Sequence, residues 1–345
     1  MPERYESYLL RTTRELERFQ PLWKALWRED QNATPFQSPE WLLPWWHLFG
    51  EHDHRVIVIS RQGKPISFLP FYIHHNHTLQ EHQLLLIGAG TSDYLDGVFS
   101  PDCGPEQIWM TFDALKSEGG WDVLYANQLR RQSMLFKALS QANGWEVQGF
   151  SGEPCSRMPA APIENLPVKI RRNAMYYRNR AMRLGALELV VADARNCLDA
   201  FNTLVRLHTN RWQSCGEPGV LADSRVLACH REAIPLLERE GMLRLYSLLL
   251  NGEVLGVAYA LVDPADRPER TLYVYLTAYS VERADLRPGT ILLALLTEHA
   301  YREGITTIDM LRGNEGYKKL WHVQSQPTFG FAYRSAAQEW RLLSA

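Results

Sequence analysis

Arg244-Leu245-Tyr246-Ser247-Leu248-Leu249-Leu250-Asn251-Gly252-Glu253-Val254-Leu255-Gly256-Val257-Ala258-Tyr259 sets two apolar runs on either side of Asn-Gly. Glycine between two such runs predicts a β-hairpin. The same grammar stands earlier in the chain. Arg55-Val56-Ile57-Val58-Ile59-Ser60 leads into Gln62-Gly63-Lys64 and then Ile66-Ser67-Phe68-Leu69-Pro70-Phe71. Arg55 to Gly63 and Arg244 to Gly252 are both eight-residue steps, an offset of 189.

Working outward, the echo continues. Residues 83–88 predict a third strand in the first half and 271–279 its counterpart in the second. Each is followed by a loop and a helix, over 106–116 and 290–302, that ends at Gly120 or Gly304. A strand follows each glycine, at 121–126 and 305–311. Hairpin, strand, helix, strand, twice over, predicts an α+β unit duplicated within the chain. The plainer alternative is two unrelated α+β halves that share common elements. Ahead of the first hairpin, Thr12 and Glu15 have capping-box spacing, followed by Leu16, Phe19, Leu22, Trp23, Leu26 and Trp27 in helical rhythm. Ser38-Pro39-Glu40 opens a second helix with Trp41, Leu42, Trp45, Trp46 and Phe49 on its apolar side, closed by Gly50. An aromatic cluster of this kind reads as core before ligand site.

With 345 residues the chain is long enough for two domains. Apolar residues at 46% and charged residues at 22% exclude disorder along most of it. Basic residues number 37 and acidic 39, so no whole-protein electrostatic grip on DNA is expected. The longest apolar run is about nine residues, far below the ~20 of a spanning helix, so no membrane segment is expected, though peripheral contact remains open. An acidic, polar N-terminus and five scattered cysteines without a CxxC pair predict a cytoplasmic protein with reduced thiols. Residues 151–167 hold four prolines and read as a connector. The expected domains are therefore 1–150 and 169–345, joined by 151–168. The second opens on 169–183, where six of 15 residues are basic. At about 100° per residue, Lys169, Arg172, Tyr176, Arg180 and Arg183 share one helical face. That face suits phosphate or another polyanion, or it is a solvated face paired with nearby acids.

Four constellations carry possible chemistry. The first is the junction from Tyr279 to Thr290, where a strong strand signal runs into Arg287-Pro288-Gly289-Thr290 and an apolar helix. Free N–H groups at such a helix start favour phosphate, and Arg287 adds charge-assisted contacts. The second is Asp309-Met310-Leu311-Arg312-Gly313-Asn314-Glu315-Gly316-Tyr317-Lys318-Lys319-Leu320-Trp321, at the end of a strand. Asp309 or Glu315 is a candidate general base, Tyr317 a proton donor and Lys318 an anion holder. The competing reading is a structural Asp309–Arg312 ion pair with Tyr317 and Trp321 in the core. The third is His208-Thr209-Asn210-Arg211-Trp212, with His208 a candidate base and Arg211 a candidate anion clamp, although a lone histidine serves structure as readily. The fourth is Thr91-Ser92-Asp93-Tyr94-Leu95-Asp96, a loop that lines a cleft or merely turns. His74-His75-Asn76-His77 with His82 lacks recognisable zinc spacing, so no metal is expected. No P-loop, GxGxxG, HExxH or GxSxG is present.

In their order and spacing these motifs resemble the Fem-like double-GNAT acyltransferases, in particular the CelD-type branch associated with cellulose and exopolysaccharide biosynthesis. The resemblance covers nearly the whole chain. In the first half it rests on Thr34-Pro35-Phe36-Gln37-Ser38-Pro39-Glu40-Trp41, Phe68-Leu69-Pro70-Phe71 and residues 88–96. In the second it rests on Ile170-Arg171-Arg172-Asn173, the segment from His208 to Trp212, Leu286-Arg287-Pro288-Gly289-Thr290, and Asp309-Met310-Leu311-Arg312-Gly313 followed by Tyr317-Lys318 and Trp321.

The resemblance implies an α+β fold of two tandem GNAT-like domains, with mixed, mostly antiparallel sheets flanked by helices, packed around a central cleft. It implies acyl transfer from acyl-CoA, acetyl-CoA or longer, to an amine or hydroxyl of a sugar, envelope precursor or polysaccharide. The fourth strand of a GNAT unit contacts the pantetheine arm and the next helix start holds the pyrophosphate. Those roles fall here on Leu276, Thr277 and Ala278, and on Arg287, Gly289 and Thr290. The full R/Q-x-x-G-x-G/A signature of common acetyltransferases is absent. Asp309 or Glu315, through a water, takes the proton of the attacking amine. Backbone N–H groups near Leu276 and Ala278 stabilise the oxyanion, and Tyr317 protonates the leaving thiolate. Arg211, Trp212, Arg312, Lys318 and Trp321, with Asp93, Tyr94, Lys169 and Arg172, orient the acceptor. In Fem-type peptidyltransferases the donor is an aminoacyl-tRNA, and that is the alternative donor here. The coiled-coil arm those proteins often carry is not seen in the sequence. A non-catalytic ligand-binding or assembly protein is the third reading.

Overall fold

The computed structural model describes residues 4–50, 53–141, 147–313 and 315–334. Both hairpins form, and they agree in backbone detail. Gln62 and Gly63 turn with φ of 52° and 79°, and Asn251 and Gly252 with 53° and 80°. Two central residues with positive φ mark the type I′ turn, whose twist matches that of the flanking strands. Past each turn the second strand carries a one-residue bulge, at Ile66 in the first hairpin and Leu255 in the second. The bulges keep the same 189-residue offset as the turns.

The chain divides into two units, one holding Met1–Glu153 with Pro327–Ala345 and the other Pro154–Gln326. In the first, β1 (Tyr5–Leu10), α1 (Thr13–Glu29) and α2 (Pro39–Phe49) precede β2 (His54–Arg61) and β3 (Lys64–Asn76). Then come β4 (Glu81–Leu86), the short β5 (Val98–Phe99), α3 (Pro105–Glu118), β6 (Val123–Arg130), α4 (Met134–Ser140) and β7 (Val147–Ser151). The Thr12–Glu15 capping box starts α1 as expected. The tryptophans of α1 and α2 are core: Trp23 stacks on Phe68 at 4.3 Å, and Trp41 donates its indole N–H to Ser92 Oγ at 2.9 Å. On β3, Phe68 faces α1 while Leu69, Phe71 and Ile73 pack with α3 residues Ile108, Phe112 and Leu115. A strand covered on both faces reads as a continuous apolar run, as β2 and β3 do.

The second unit holds β8 (Cys155–Pro159), α5 (Val168–Met182), β9 (Leu187–Val191), α6 (Cys197–Ser214) and α7 (Ser224–Arg239). They are followed by β10 (Leu243–Leu250), β11 (Glu253–Val262), β12 (Thr271–Tyr279), α8 (Pro288–Arg302), β13 (Thr307–Arg312), α9 (Gly316–Leu320) and β14 (Gln324–Gln326). The last strand, β15 (Thr328–Arg334), belongs to the first unit. One face of this sheet packs on α8 and α5 through Leu248, Leu255, Ala258, Leu292 and Ile170. The other packs on α6 and α7 through Phe201, Tyr259 and His230.

The two sheets have the same topology. The first runs β1-β2-β3-β4-β6-β15-β7 and the second β9-β10-β11-β12-β13-β8-β14. In each, the fourth and fifth strands are the parallel pair, joined by the α3 or α8 crossover, and the ladder pairs on either side are antiparallel. The sixth place shows an exchange: β8 follows β7 in the chain but sits in the second sheet, and β15 follows β14 but sits in the first. Each repeat therefore lends its last strand to the other sheet. This corrects the expected boundaries. Residues 328–334 leave the C-terminal domain, and 155–159 are not connector but an interior strand paired on both sides. Flanking prolines and five-residue length hide β8 in the sequence, whereas Cys155 and Met158 are buried in the core. Among the described residues no helix is long and apolar enough to cross a membrane.

Candidate active site

The geometry that matters lies where β12 and β13 part. Their parallel pairing covers Thr271–Thr307, Leu272–Ile308 and Tyr273–Asp309, then stops. β12 bulges at Tyr275 against β11 and runs on to Tyr279. β13 bulges over Met310 and Leu311 against β8, with Leu311 in the left-handed region at φ 56°. Past Tyr273 the β13-facing edge of β12 thus has no ladder partner among the described residues, and Leu276 and Thr277 are only half-buried there. Ala278 is fully buried.

The first repeat has the same kink and no such opening. Its β6 bulges against β15 with Gln128 at φ 53°, the counterpart of Leu311. Here β4 ends at Leu86, and the following loop fills the gap: Leu95 donates its N–H to Gln128 O at 3.2 Å. The loop is pinned by Gln37 Nε2 on Tyr94 O at 2.8 Å, while Arg130 lies 5.2 Å over the Tyr94 ring. Asp93 and Tyr94, expected to bind substrate, are buried in this plug. One seam is open and its duplicate is sealed.

At the open seam α8 begins. Arg287 is its N-cap with φ 50° and ψ 52°, Pro288 sits at the first helical position, and Gly289 and Thr290 complete the turn. Proline has no N–H to satisfy and suits this place, while the Gly289 amide points out of the helix start. A Cβ on Gly289 would stand 3.4 Å from the Tyr279 ring, an ordinary van der Waals contact, so the helix start lies against the end of β12. The Arg287 guanidinium lies 5.9 Å over the ring of Tyr177 on α5. A cation, a helix start and an exposed strand edge make a seat for an anion with an extended tail.

Tyr279 organises the other side. Arg211, from the last turn of α6, lies 4.8 Å over its ring. Tyr317 on α9 feels Glu315, Arg211 and Tyr279 together. Desolvation comes first and the Glu315 carboxylate second in pushing its phenol up to about 12, so the hydroxyl keeps its proton at neutral pH. Its ring remains 47% exposed. The structure thus groups Arg211, Glu315, Tyr317 and Gly289 of the expected residues, and adds Tyr279 and Tyr177. Sequence reasoning took Tyr279 as the end of the donor-facing strand and missed Tyr177, because an aromatic on a basic helix reads as packing.

Several expectations are corrected. His208 lies on the buried face of α6 beside Leu204 and Leu207, with its ring 5.8 Å from Trp212. Burial first, and Arg211 second, lowers its pKa, and Nδ1 has no hydrogen-bond partner. Both His208 and Trp212 are roofed by Gly219, where a Cβ would come within 2.6 Å of each ring. His208 is therefore a buried group that is neutral at pH 7. Asp309 is 0% exposed, with Oδ2 2.7 Å from Arg157 Nε and Oδ1 accepting the Leu311 N–H at 2.8 Å. It supports the β13 kink and does not stand as a base. Its ion-pair partner is Arg157, where the sequence suggested Arg312. Lys318 is buried, its ammonium donating to the carbonyls of Leu311, Arg312 and Gly313 at 3.3, 2.6 and 3.3 Å and pairing with Glu315 at 2.9 Å. It staples the loop and has no donor left for an acceptor anion. Trp321 is core.

His230 gives this unit a pH signature. It is packed against Phe201, Tyr259 and Tyr275 at 5.9, 5.6 and 5.4 Å, and burial lowers its pKa to about 4. Above the unfolded value of about 6.5 it is neutral in both states and contributes nothing. As pH falls below that value the unfolded chain takes up the proton first, so stability declines until the folded group titrates near 4. Between pH 7.5 and 5 the loss is about 2 kcal/mol. Urea unfolding of His230→Phe is expected to show that part of the acid sensitivity removed; an unaltered pH slope would contradict it.

Among the described residues, no three His, Cys, Asp or Glu side chains are grouped as a metal site requires. His75 and His82 stack edge-on at 4.3 Å across β3 and β4, and His82 Nδ1 lies 3.2 Å from Asp122 Oδ2.

A family model described as acetyltransferase (GNAT) domain matches residues 168–319, within the second unit and under half of the chain. No curated protein matches the sequence. Among solved structures, FemX is similar at 12% identity and a TM-score of 0.64, over 95% of this chain and 97% of that one. L-PGS from Bacillus licheniformis is similar at 14% identity and 0.57, over 92% of each. A tandem GNAT protein from the clavulanic acid biosynthesis pathway is similar at 10% identity and 0.50, over 97% of this chain and all of the other. At such identities the likeness concerns the fold: an α+β chain of two GNAT-like units.

Proposed function

We propose that this chain is an acyltransferase that moves an acyl group from acyl-CoA to an amine or hydroxyl of a sugar, envelope precursor or polysaccharide, as a CelD-type member of the tandem GNAT proteins. The donor seat is in the second unit. The observation that carries this reading is the open β12–β13 seam beside the first turn of α8, against its plugged duplicate between β4 and β6. The match of residues 168–319 to the acetyltransferase domain falls on the same unit.

An acyl thioester supplies an activated carbonyl and a thiolate leaving group. This chain's part is to hold and orient it. The Gly289 amide and the Arg287 guanidinium take the diphosphate, and the unpaired edge of β12 around Leu276 and Thr277 takes the amide-bearing arm by backbone hydrogen bonds. Tyr317, protonated at neutral pH, gives its phenolic proton to the thiolate. Glu315, exposed but bound to Lys318, receives the acceptor's proton through water. Most of the rate gain is positioning.

Calorimetric titration with acetyl-CoA and a longer acyl-CoA tests this. Micromolar binding is expected, weakened about 10–100-fold in Arg287→Ala, the size of one or two charge-assisted contacts. Absence of binding to either ligand would remove the donor assignment. Aminoacyl-tRNA would then take its place, a reading favoured by the six cations of residues 169–183 and tested by salt-sensitive tRNA binding.

A further inference from the structure

We propose that the outward face of α5 docks on an anionic lipid surface. The helix turns Ile170, Ala174 and Ala181 into the core, with Tyr177 packed beside them. Opposite them, Val168, Met175 and Met182 recur at seven-residue spacing and are 54%, 49% and 52% exposed. A repeat of seven keeps three side chains on nearly one line over about four turns. Tyr176, also exposed, falls among the cations on one edge of the stripe, and Leu184 lies exposed just past the helix end.

Cations flank the stripe on both sides. At 100° per residue, Lys169, Arg172 and Arg183 fall along one edge and Arg171 and Arg178 along the other. No acidic residue occurs from 168 to 184, so the helix and its C-cap Arg183 carry six positive charges in a chain of net charge −2. Arg180 is paired with Asp285 at 2.9 Å and Arg171 donates to the Glu164 carbonyl, which among the described residues leaves Lys169, Arg172, Arg178 and Arg183 for an external partner.

The pairing of the two chemistries selects the occupant. A polynucleotide would engage the arginines and leave Val168, Met175 and Met182 in water. A neutral apolar partner would bury those three and strand the cations. An anionic bilayer surface accepts the stripe below its headgroups while its phosphates meet the flanking cations. Through Tyr177 and Asp285 the same helix borders Arg287, on the side away from the stripe. The inference is independent of the acyl-transfer reading, because it is read without turnover.

Co-sedimentation of the full chain with vesicles of phosphatidylcholine, or of an equimolar mixture with phosphatidylglycerol, is the test. Binding to the mixed vesicles and not to phosphatidylcholine alone is expected, weakening as salt rises. Met175→Ser with Met182→Ser should lower partitioning roughly tenfold or more, since both side chains leave water in the bound state. Arg172→Glu with Arg183→Glu should abolish it. All four side chains are exposed, so thermal melts should match the parent protein. No binding to the mixed vesicles, or binding indifferent to the methionine pair, overturns the proposal. So does tRNA binding without vesicle binding, which assigns the face to a polynucleotide.

Discussion

Tyr317→Phe is expected to lower kcat for acyl transfer roughly 10²–10⁴-fold, the range for loss of a positioned proton donor, with little change in donor affinity. Phenylalanine keeps the ring against Tyr279 and Arg211 and removes only the hydroxyl. That hydroxyl is protonated at neutral pH because desolvation and the Glu315 carboxylate both favour the neutral phenol. It is a weak acid in the ground state, and it becomes competent only when a thiolate develops beside it. The effect should therefore fall on the chemical step. Single-turnover mixing separates it from binding: the acylation rate drops while the titration with acyl-CoA is unchanged. An unaltered rate would remove Tyr317 from the reaction and leave water as the proton source. Equal losses in rate and affinity would mean that the hydroxyl binds the donor and does not supply the proton.

What the sequence made legible was whatever is decided locally. Asn251-Gly252 and Gln62-Gly63 predict hairpins because positive φ at both central residues is a property of the turn itself. Pro288-Gly289 predicts a helix start for the same kind of reason. The strand exchange was not legible. β8 is a five-residue segment between prolines, and its place between β13 and β14 depends on partners 150 residues away. The Asp309-to-Trp321 segment was legible as a place and not as a set of roles. A strand that kinks in the left-handed region needs polar groups to satisfy its displaced amides and carbonyls, and a reaction centre needs polar groups as well. Crowding of Asp309, Arg312, Glu315, Tyr317 and Lys318 at a strand end is common to both. Only burial separates them: Asp309 and Lys318 point inward and hold the kink, while Glu315 and Tyr317 are exposed. The duplicate site in the first unit shows the same logic, with Gln128 at the kink and a loop in the gap.

Asp309→Ala is accordingly expected to act on stability first, by roughly 3–5 kcal/mol, the cost of stripping one partner from a buried ion pair. The Arg157 guanidinium, its side chain 22% exposed, loses its 2.7 Å carboxylate. The Leu311 N–H loses its acceptor while its backbone stays at a strained positive φ. Lys318 then caps carbonyls of a loop whose entry is no longer fixed. Asp309→Asn should cost less, because an amide oxygen still accepts from Leu311. Replacing both partners, Arg157→Leu with Asp309→Leu, should recover part of the loss that Asp309→Ala alone incurs, as expected when the penalty is an uncompensated charge. Urea unfolding measures all three. If Asp309 is instead the base, the pattern reverses: Asp309→Ala unfolds like the parent, and Asp309→Asn and Asp309→Ala lose turnover equally. A carboxylate with 0% exposure and both oxygens already bound has no face to offer a water. The scaffold also explains why the kink recurs in a unit whose seam is plugged: it belongs to the fold, and the opening above it is what distinguishes the second unit.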